Sequence, residues 1–168
     1  NHIYAPSSFT INFPPFALDG ELWSKRNDFE FIQSTVLDKV PSKGWRKIRY
    51  HIFEAPHSEG NFSLRLERVK TWFDKHRNLS VHLVEQSTCQ GREDLDAYLQ
   101  FIVNQKGEGV VLKDPSLSYR SGRGKYAFKV KPSWDMEGEV IALNKGKGKY
   151  REMMGSLTLK LESGVVFK

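Results

Sequence analysis

Apolar positions recur along the chain with two different periods, which predicts a mixture of strands and helices. Alternation with a period of two is typical of strands, and recurrence every three or four residues is typical of helices. The first pattern predicts strands over residues 16–23, 47–54, 80–86, 109–112 and 127–131. The second predicts helices over residues 27–39, over residues 93–104 and from Asn61 onward, with Phe62, Leu66, Val69 and Phe73 on one face. We therefore expect an α+β domain.

The helical period disappears after residue 132, which predicts a second unit made of strands alone. Strands over residues 139–143, 156–161 and 165–167 are joined by glycine-rich turns. We therefore expect one domain over residues 1–132 and a second over residues 133–168. Because three strands cannot close a barrel, we expect further sequence or the first domain to cover the apolar face of the second unit.

The strand predicted over residues 47–54 has two unlike faces. Ile48, Tyr50 and Ile52 fall on one face, and Arg49, His51 and Phe53 fall on the other. We expect the isoleucine face to pack into the core. Phe53 then lies on the opposite face, where it is either free for a ligand or buried as an ordinary core aromatic.

Length and composition limit the class of protein. The 168 residues, of which 39% are hydrophobic, are enough for one domain and a small appendage. No apolar run is long enough to span a bilayer, so we expect no membrane partner. The single cysteine and the scattered histidines lack zinc-ligand spacing. The chain begins at Asn1 and stops inside an apolar run, so we expect it to be a fragment of a longer protein.

Positive charge is concentrated near the end of the chain. Residues 1–100 carry 13 Lys and Arg against 13 Asp and Glu, whereas residues 101–168 carry 13 against 7. Such asymmetry is typical of a protein with a polyanionic partner, although surplus lysine also serves solubility. Two glycine-rich basic loops hold much of the surplus and are candidates for phosphate contacts, the alternative being solvated turns. Their cations are Arg120, Arg123, Lys125, Lys145, Lys147 and Lys149.

Two carboxylates and two lysines occupy positions suited to chemistry. Glu21 and Glu108 each abut a glycine beside a predicted buried strand. A charge there is costly unless it binds a cation or a ligand, the alternative being a rim residue that faces water. Lys129 and Lys131 are two residues apart in a strand, so their ammonium groups share a face. Neighbouring ammonium groups repel each other, and a bound anion would relieve that repulsion.

Four segments taken in order, "LDGELW", "YHIFEAP", "EGVVLKDP" and "FKVKP", resemble motifs III, IIIa, IV and V of the ATP-dependent DNA ligases, members of the covalent nucleotidyltransferase superfamily. The segments "FPPFALDGELW", "KGEGVVLKDPS", "NKGKGKY" and "MGSL" resemble the minimal bacterial ligases in particular. The resemblance covers nearly the whole chain. One departure is Glu54, which stands where motif IIIa usually has Asp.

The nucleophilic lysine of the family lies in a K-x-D-G motif upstream of motif III. In this chain Ala17 precedes Leu18-Asp19-Gly20, so the resemblance identifies "ALDGE" as motif III. The K-x-D-G motif would then fall before Asn1, and we expect the 168 residues alone to be inactive. The end of the second domain would also be missing.

The resemblance implies a fold and a reaction. The fold would be a nucleotidyltransferase (adenylation) domain with antiparallel sheets and flanking helices, followed by the beginning of an OB-fold β-barrel. A lysine would attack the α-phosphorus of ATP and release pyrophosphate. The AMP would then pass to the 5′-phosphate of nicked double-stranded DNA, and the 3′-hydroxyl would displace AMP and seal the strand. The expected cofactors are ATP, as the source of AMP, and Mg²⁺. A bacterial monomer of the cytoplasm or the periplasm is expected.

The motif matches also imply roles for individual residues. Phe53 would stack on adenine, and Glu21 would accept from the ribose or support the metal. Glu108 would hold Mg²⁺ near the α-phosphate. Lys129 and Lys131 would bind that phosphate and, with Glu108, form the catalytic group. The six basic loop residues named above would contact DNA.

Other functions remain open on sequence alone. An RNA ligase or a messenger-RNA capping enzyme shares several of these motifs, although "EGVV" favours a DNA ligase. An NAD-dependent ligase would bring a cysteine-rich zinc module, which a single cysteine cannot form. A non-catalytic fragment that binds nucleotide or DNA is the alternative outside enzymes.

Overall fold

The computed structural model of the protein describes residues 2–122, 124, 126–133 and 135–168. Two of the candidate DNA-binding residues, Arg123 and Lys125, lie outside the described residues. The chain forms two compact units, Asn1–Lys131 and Pro132–Lys168.

The first unit contains four helices and five strands among the described residues. In chain order they are α1 (Ser7–Thr10), β1 (Asp19–Trp23), α2 (Phe29–Leu37), β2 (Arg49–Glu54), α3 (Phe62–Lys75), β3 (Val81–Leu83), α4 (Arg92–Asn104), β4 (Val110–Lys113) and β5 (Ala127–Val130). A 3₁₀ helix, Lys43–Lys47, leads into β2. The short helix α1 and the 3₁₀ helix were not predicted from the hydrophobic pattern, since neither is long enough to show a period.

Three strands of this unit form one sheet in the order β1-β2-β3. β1 pairs with β2 antiparallel, whereas β2 pairs with β3 in parallel. A parallel neighbour requires a crossover, and α3 provides it between β2 and β3. The expectation of antiparallel sheets therefore needs one correction at this pair. β4 and β5 form a separate antiparallel hairpin.

The two helices predicted to begin at asparagine residues start in different ways. The side chain of Asn61 accepts a hydrogen bond from the backbone amide of Leu64 at 3.0 Å, so Asn61 caps α3, which begins where the sequence predicts. Asn27 does not cap α2 in the same way. It adopts a left-handed conformation with φ of 58°, and Asp28 precedes the first helical residue.

The core of the first unit has two clusters that meet at β2. Phe9, Trp45 and Ile48 form one cluster, and Ile52 and Val69 anchor the other together with Ala55. Ile48 and Ile52 are fully buried, which confirms the predicted alternation of β2. Burying each such side chain stabilises the fold by about 1.5–3 kcal/mol. The opposite face of β2 is thereby fixed as the face that carries Phe53.

The second unit is an antiparallel meander. Its strands are β6 (Gly138–Lys145), β7 (Met154–Leu161) and β8 (Val166–Phe167), and a 3₁₀ helix, Gly148–Tyr150, lies between β6 and β7. Apolar side chains of this sheet are exposed, among them Leu143, Met154 and Val166. In neither unit does any described helix have both the length and the apolar character needed to cross a bilayer.

Candidate functional site

Close backbone packing accounts for the glycine beside each candidate carboxylate. A Cβ atom on Gly20 would lie 2.3 Å from the carbonyl oxygen of His51 on β2. A Cβ atom on Gly109 would lie 2.2 Å from the carbonyl oxygen of Val130 on β5. Both distances are too short for any side chain, so glycine is required for these strand pairs to close. The neighbouring Glu21 and Glu108 are consequently held at the edges of well-defined strand pairs.

Lys129 on β5, Lys131 just after that strand, and Glu108 form one charged group. The ammonium of Lys131 donates to Glu108 Oε2 at 2.9 Å. This hydrogen bond lowers the pKa of the Glu108 carboxyl, and the charges of Lys131 and Lys129 act in the same direction. The side chains of Lys131 and Glu108 are 54% and 87% exposed. Two cations thus share one carboxylate in water, which leaves a net positive site able to attract an anion.

Phe53 borders this group through Lys113. Val111 on β4 pairs with Lys129 on β5, and Lys113 lies on the same strand face as Val111. The ammonium of Lys113 donates to the carbonyl oxygen of Phe53 at 3.4 Å and lies 5.4 Å from the centre of the Phe53 ring. Phe53 is half-buried and stands outside both core clusters. An aromatic ring therefore lies beside a face of lysines, an arrangement suited to a base and its phosphate.

A buried charge cluster lies behind Phe53. Glu54 accepts two hydrogen bonds from the guanidinium of Arg65, at 2.8 and 3.0 Å, and lies 3.5 Å from Lys113 Nζ. Burial tends to raise the pKa of Glu54, but the Arg65 hydrogen bonds, the charge of Lys113 and the amide of Ala55 outweigh it and hold that pKa below its usual value. The cluster joins β2, α3 and β4, and so fixes the strand that carries Phe53.

Glu21 lies in a row of polar residues across the three-stranded sheet. It pairs with His51 of β2, which pairs with His82 of β3, and the two imidazole rings are 4.6 Å apart. Burial lowers the pKa of His51, and the charges of His82 and Arg49 lower it further. Glu21 shares the strand face of His51 and therefore that of Phe53. Among the described residues, no hydrogen bond or ion pair joins Glu21 to Glu108 or to the lysines.

The donor set can be compared with the needs of Mg²⁺. The described part of the chain contains no group of three or more His, Cys, Asp or Glu side chains that could enclose a metal ion. Mg²⁺ usually takes one or two protein carboxylates and fills its other positions with water and substrate phosphates. Glu108 and Glu21 are the carboxylates that the sequence motifs predict for that role.

The basic loops are exposed and partly ordered by main-chain hydrogen bonds. In the first unit, the hydroxyl of Tyr126 lies against the carbonyl groups of Arg120 and Gly122. In the second unit, the turn after β6 is closed by a bond from the amide of Gly146 to the carbonyl of Met153 at 2.9 Å. The exposed cations in these two described segments are Arg120, Lys145, Lys147 and Lys149.

Comparison with known proteins shows what the chain is similar to. No protein-family model matches the chain. A DNA ligase of Haemophilus influenzae is 38% identical over 159 residues, which make up 95% of this chain and 59% of that protein. A solved Lig E DNA ligase is 37% identical, with a TM-score of 0.85 over 99% of this chain and 66% of its own. The chain is thus similar to DNA ligases over nearly its whole length.

The ligase fold extends to more distant relatives. The ATP-dependent DNA ligase of bacteriophage T7, solved in complex with ATP, is 21% identical and matches 90% of this chain with a TM-score of 0.59. The match covers 55% of that protein, so the chain spans less than two thirds of the length of each protein compared with it above. The α+β fold class implied by the sequence motifs is confirmed by these matches.

Sequence reasoning missed two residues that organise the surroundings of Phe53. Arg65 is 3% exposed although it lies on a helix that also carries exposed charges. Lys113 follows three apolar residues of β4, and its position in "EGVVLKDP" gave no separate signal. A hint existed for Arg65, because it recurs with Phe62 and Val69 on the apolar stripe of α3.

Proposed function

We propose that the full-length protein containing these 168 residues is an ATP-dependent DNA ligase that seals nicks in double-stranded DNA through lysyl-AMP and DNA-adenylate intermediates. The observation that carries the proposal is the 38% identity to the Haemophilus DNA ligase over 95% of the chain. The grouping of Phe53 with a face of lysines supports the same conclusion.

Different residues of the first unit bind the base and the phosphate of the nucleotide. Phe53 stacks on the adenine ring, an interaction between aromatic planes worth about 0.5–1.5 kcal/mol beyond area burial. Lys129 and Lys131 contact the α-phosphate. When the nucleophile bonds to phosphorus and pyrophosphate leaves, negative charge on the phosphoryl oxygens grows, and two fixed ammonium groups stabilise it more than they stabilise the ground state.

The carboxylates complete the site. Glu108 holds Lys131 in place at 2.9 Å and, with Glu21, would hold Mg²⁺ when ATP is bound. The metal ion would supply further neutralisation of phosphate charge. Glu21 lies on the strand face of Phe53, which supports a role in accepting a hydrogen bond from the ribose of a stacked nucleotide.

The nick is held through its phosphates. The exposed cations Arg120, Lys145, Lys147 and Lys149 belong to the segments proposed to contact the DNA backbone. Such contacts position the duplex without reading its sequence, because phosphates are the same at every step. Affinity that depends on them falls steeply as salt rises.

Covalent AMP transfer and nick sealing test the proposal directly. When incubated with labelled ATP, the full-length protein should form a covalent AMP adduct that is labile in acid and stable in alkali, as a phosphoramidate is, and it should join a nicked duplex. Lys131→Ala should reduce both by at least about a hundredfold, since removal of one such donor commonly costs ~10²–10³ in rate. Lys70→Ala, at an exposed position on α3, is the matched control and should retain activity.

Two results would contradict the proposal. A protein that forms lysyl-AMP but joins only nicked RNA would be an RNA ligase. A folded full-length protein that forms no adduct would be a binding protein. We also expect the 168 residues by themselves to form no lysyl-AMP, because Ala17 stands at the lysine position of their x-x-Asp-Gly segment.

A further inference from the structure

The carboxylate of Glu54 is almost fully used by partners other than Lys113. Both of its oxygens accept from Arg65, and Oε1 also accepts from the backbone amide of Ala55 at 3.0 Å. Lys113 is left with a longer contact of 3.5 Å to Oε2. Arg65 is itself fixed by a bond to the carbonyl of Gly60 at 2.9 Å. The Glu54 carboxylate is therefore held in place by Arg65 and Ala55. Its contact with the Lys113 ammonium is long, so that ammonium can also interact with other groups.

The remaining surroundings of the Lys113 ammonium are aromatic. The nitrogen lies 4.4 Å from the centre of the buried Phe62 ring and 5.4 Å from that of Phe53. Its side chain is 19% exposed, and it also donates to the Phe53 carbonyl at 3.4 Å. Burial lowers the pKa of Lys113, while Glu54 opposes that change. The ammonium thus contacts both the main chain and the ring of one residue, Phe53.

We propose that Lys113 is a positioning residue of the nucleotide site, which holds the ring and main chain of Phe53 in the orientation that stacks on adenine. The proposal rests on the proposed function, because it takes Phe53 as the stacking residue. A half-buried ring at the end of a strand has several rotamers, and a cation over one face together with a fixed carbonyl favours one of them. The other face is then presented to the base.

The charge balance of the cluster agrees with a role beyond stability. Arg65 and Lys113 share the carboxylate of Glu54, and the charge of Asp19 also acts on Lys113, but no ion pair to a second carboxylate is present among the described residues to offset the desolvation cost of the second cation. Lys113 lies on the strand face of Lys129, where the phosphates of a nucleotide would bring the missing negative charge. The negative charge of the nucleotide phosphates would therefore offset the positive charge of Lys113 while Lys113 holds Phe53.

Equilibrium binding of AMP to the full-length protein, measured by calorimetric titration, tests the proposal without requiring any chemistry. Lys113→Met should weaken AMP binding by about fivefold to tenfold, the range expected from a partly desolvated cation–π contact. Lys113→Arg, which keeps the cation and can still reach the carbonyl, should remain within about twofold of the wild type. Lys70→Met is the control for loss of an exposed charge and should bind as the wild type does.

A double variant separates positioning from direct contact. If Lys113 acts through Phe53, the variant with both Phe53→Ala and Lys113→Met should bind AMP no more weakly than Phe53→Ala alone. Additive losses would overturn the proposal, as would wild-type affinity in Lys113→Met. Should Lys113→Met fail to fold, as judged by circular dichroism, Lys113→Gln provides the same test with a neutral group that still donates to the carbonyl.

The outcome also distinguishes this proposal from the proposed function. A wild-type protein that binds AMP but seals no nick would refute the ligase activity and leave the comparison of variants decisive for Lys113. A folded wild-type protein that binds no adenine nucleotide would refute both.

Discussion

Replacing the buried carboxylate of Glu54 is the perturbation for which the structure gives the sharpest expectation. In Glu54→Gln the side chain keeps its size and one acceptor, but it loses its charge. Arg65 is 3% exposed and would keep its guanidinium against a neutral amide, and the Lys113 ammonium would lose the one carboxylate that forms an ion pair with it among the described residues. Both cations would then be buried without compensation.

The expected magnitude follows from this loss of pairing. Removing one partner of a buried ion pair costs about 3–5 kcal/mol, because the other charge remains away from water. The retained amide oxygen of Gln still accepts one hydrogen bond from Arg65, so we expect the lower end, about 3 kcal/mol. Adding Arg65→Met should recover part of the loss, since the guanidinium is then no longer left alone, and a coupling of ~0.5–3 kcal/mol is usual for contacting residues.

Urea denaturation of the full-length protein, followed by tryptophan fluorescence, measures the effect. With a slope of about 2 kcal/mol per molar urea, a loss of about 3 kcal/mol moves the midpoint down by about 1.5 M. The matched control is Asp96→Asn, which breaks an ion pair with Arg92. The side chains of Arg92 and Asp96 are 83% and 52% exposed. That change should alter stability by less than about 0.5 kcal/mol.

The pH dependence gives a second readout of the same charge. The pKa of Glu54 is held below its ordinary value of 4.5 in the folded protein. Its contribution is therefore complete above that value and is lost as pH falls through the lower, folded pKa. Stability of the wild type should fall more steeply below pH 4.5 than that of Glu54→Gln. Equal effects of Glu54→Gln and Asp96→Asn, or identical pH profiles, would refute the reasoning.

Three further expectations concern binding and packing. Alanine at the basic positions Arg120, Lys145 and Lys147 should reduce the salt slope of nicked-duplex binding by up to about three units, and an unchanged slope in a filter-binding series would leave them as solubility charges. Phe53→Leu should raise the ATP concentration for half-maximal adenylation by about tenfold, with Phe53→Trp close to the wild type, and equal values for both variants would exclude stacking. Gly109→Ala should lower the free energy of unfolding in urea by about 2 kcal/mol because its Cβ would meet the Val130 carbonyl, whereas Gly91→Ala, with open space around it, should be milder.

Local pattern predicted the features that depend on a few neighbouring residues. The alternation of β2 followed from Ile48 and Ile52, which each stand two residues from the shared neighbour Tyr50. The start of α3 followed from Asn61, whose side chain bonds within its own turn. The separate strands of the second unit followed from its glycine-rich turns.

Features that depend on distant partners could not be predicted in that way. The parallel pairing of β2 with β3 depends on the direction in which α3 returns the chain. The alternation of residues within each strand does not predict that direction. Arg65 and Lys113 look like solvated charges until β2, α3 and β4 bring both to Glu54. The motif match predicts Phe53, Lys129 and Lys131 as site residues, whereas the contact of Lys113 with Phe53 appears only in the fold.

The parallel pairing of β2 and β3 also has a consequence for how quickly the molecule can assemble. β6 and β7 are joined by a short turn and can meet soon after both are free, as can β4 and β5 across one loop. β3 can join β2 only after α3 has been traversed, and such distant contacts form slowly because the chain loses more entropy before they stabilise it. The three-stranded sheet β1-β2-β3 carries Glu21 and Phe53. We therefore expect nucleotide binding to appear late in refolding, after the hairpins β4-β5 and β6-β7 have formed.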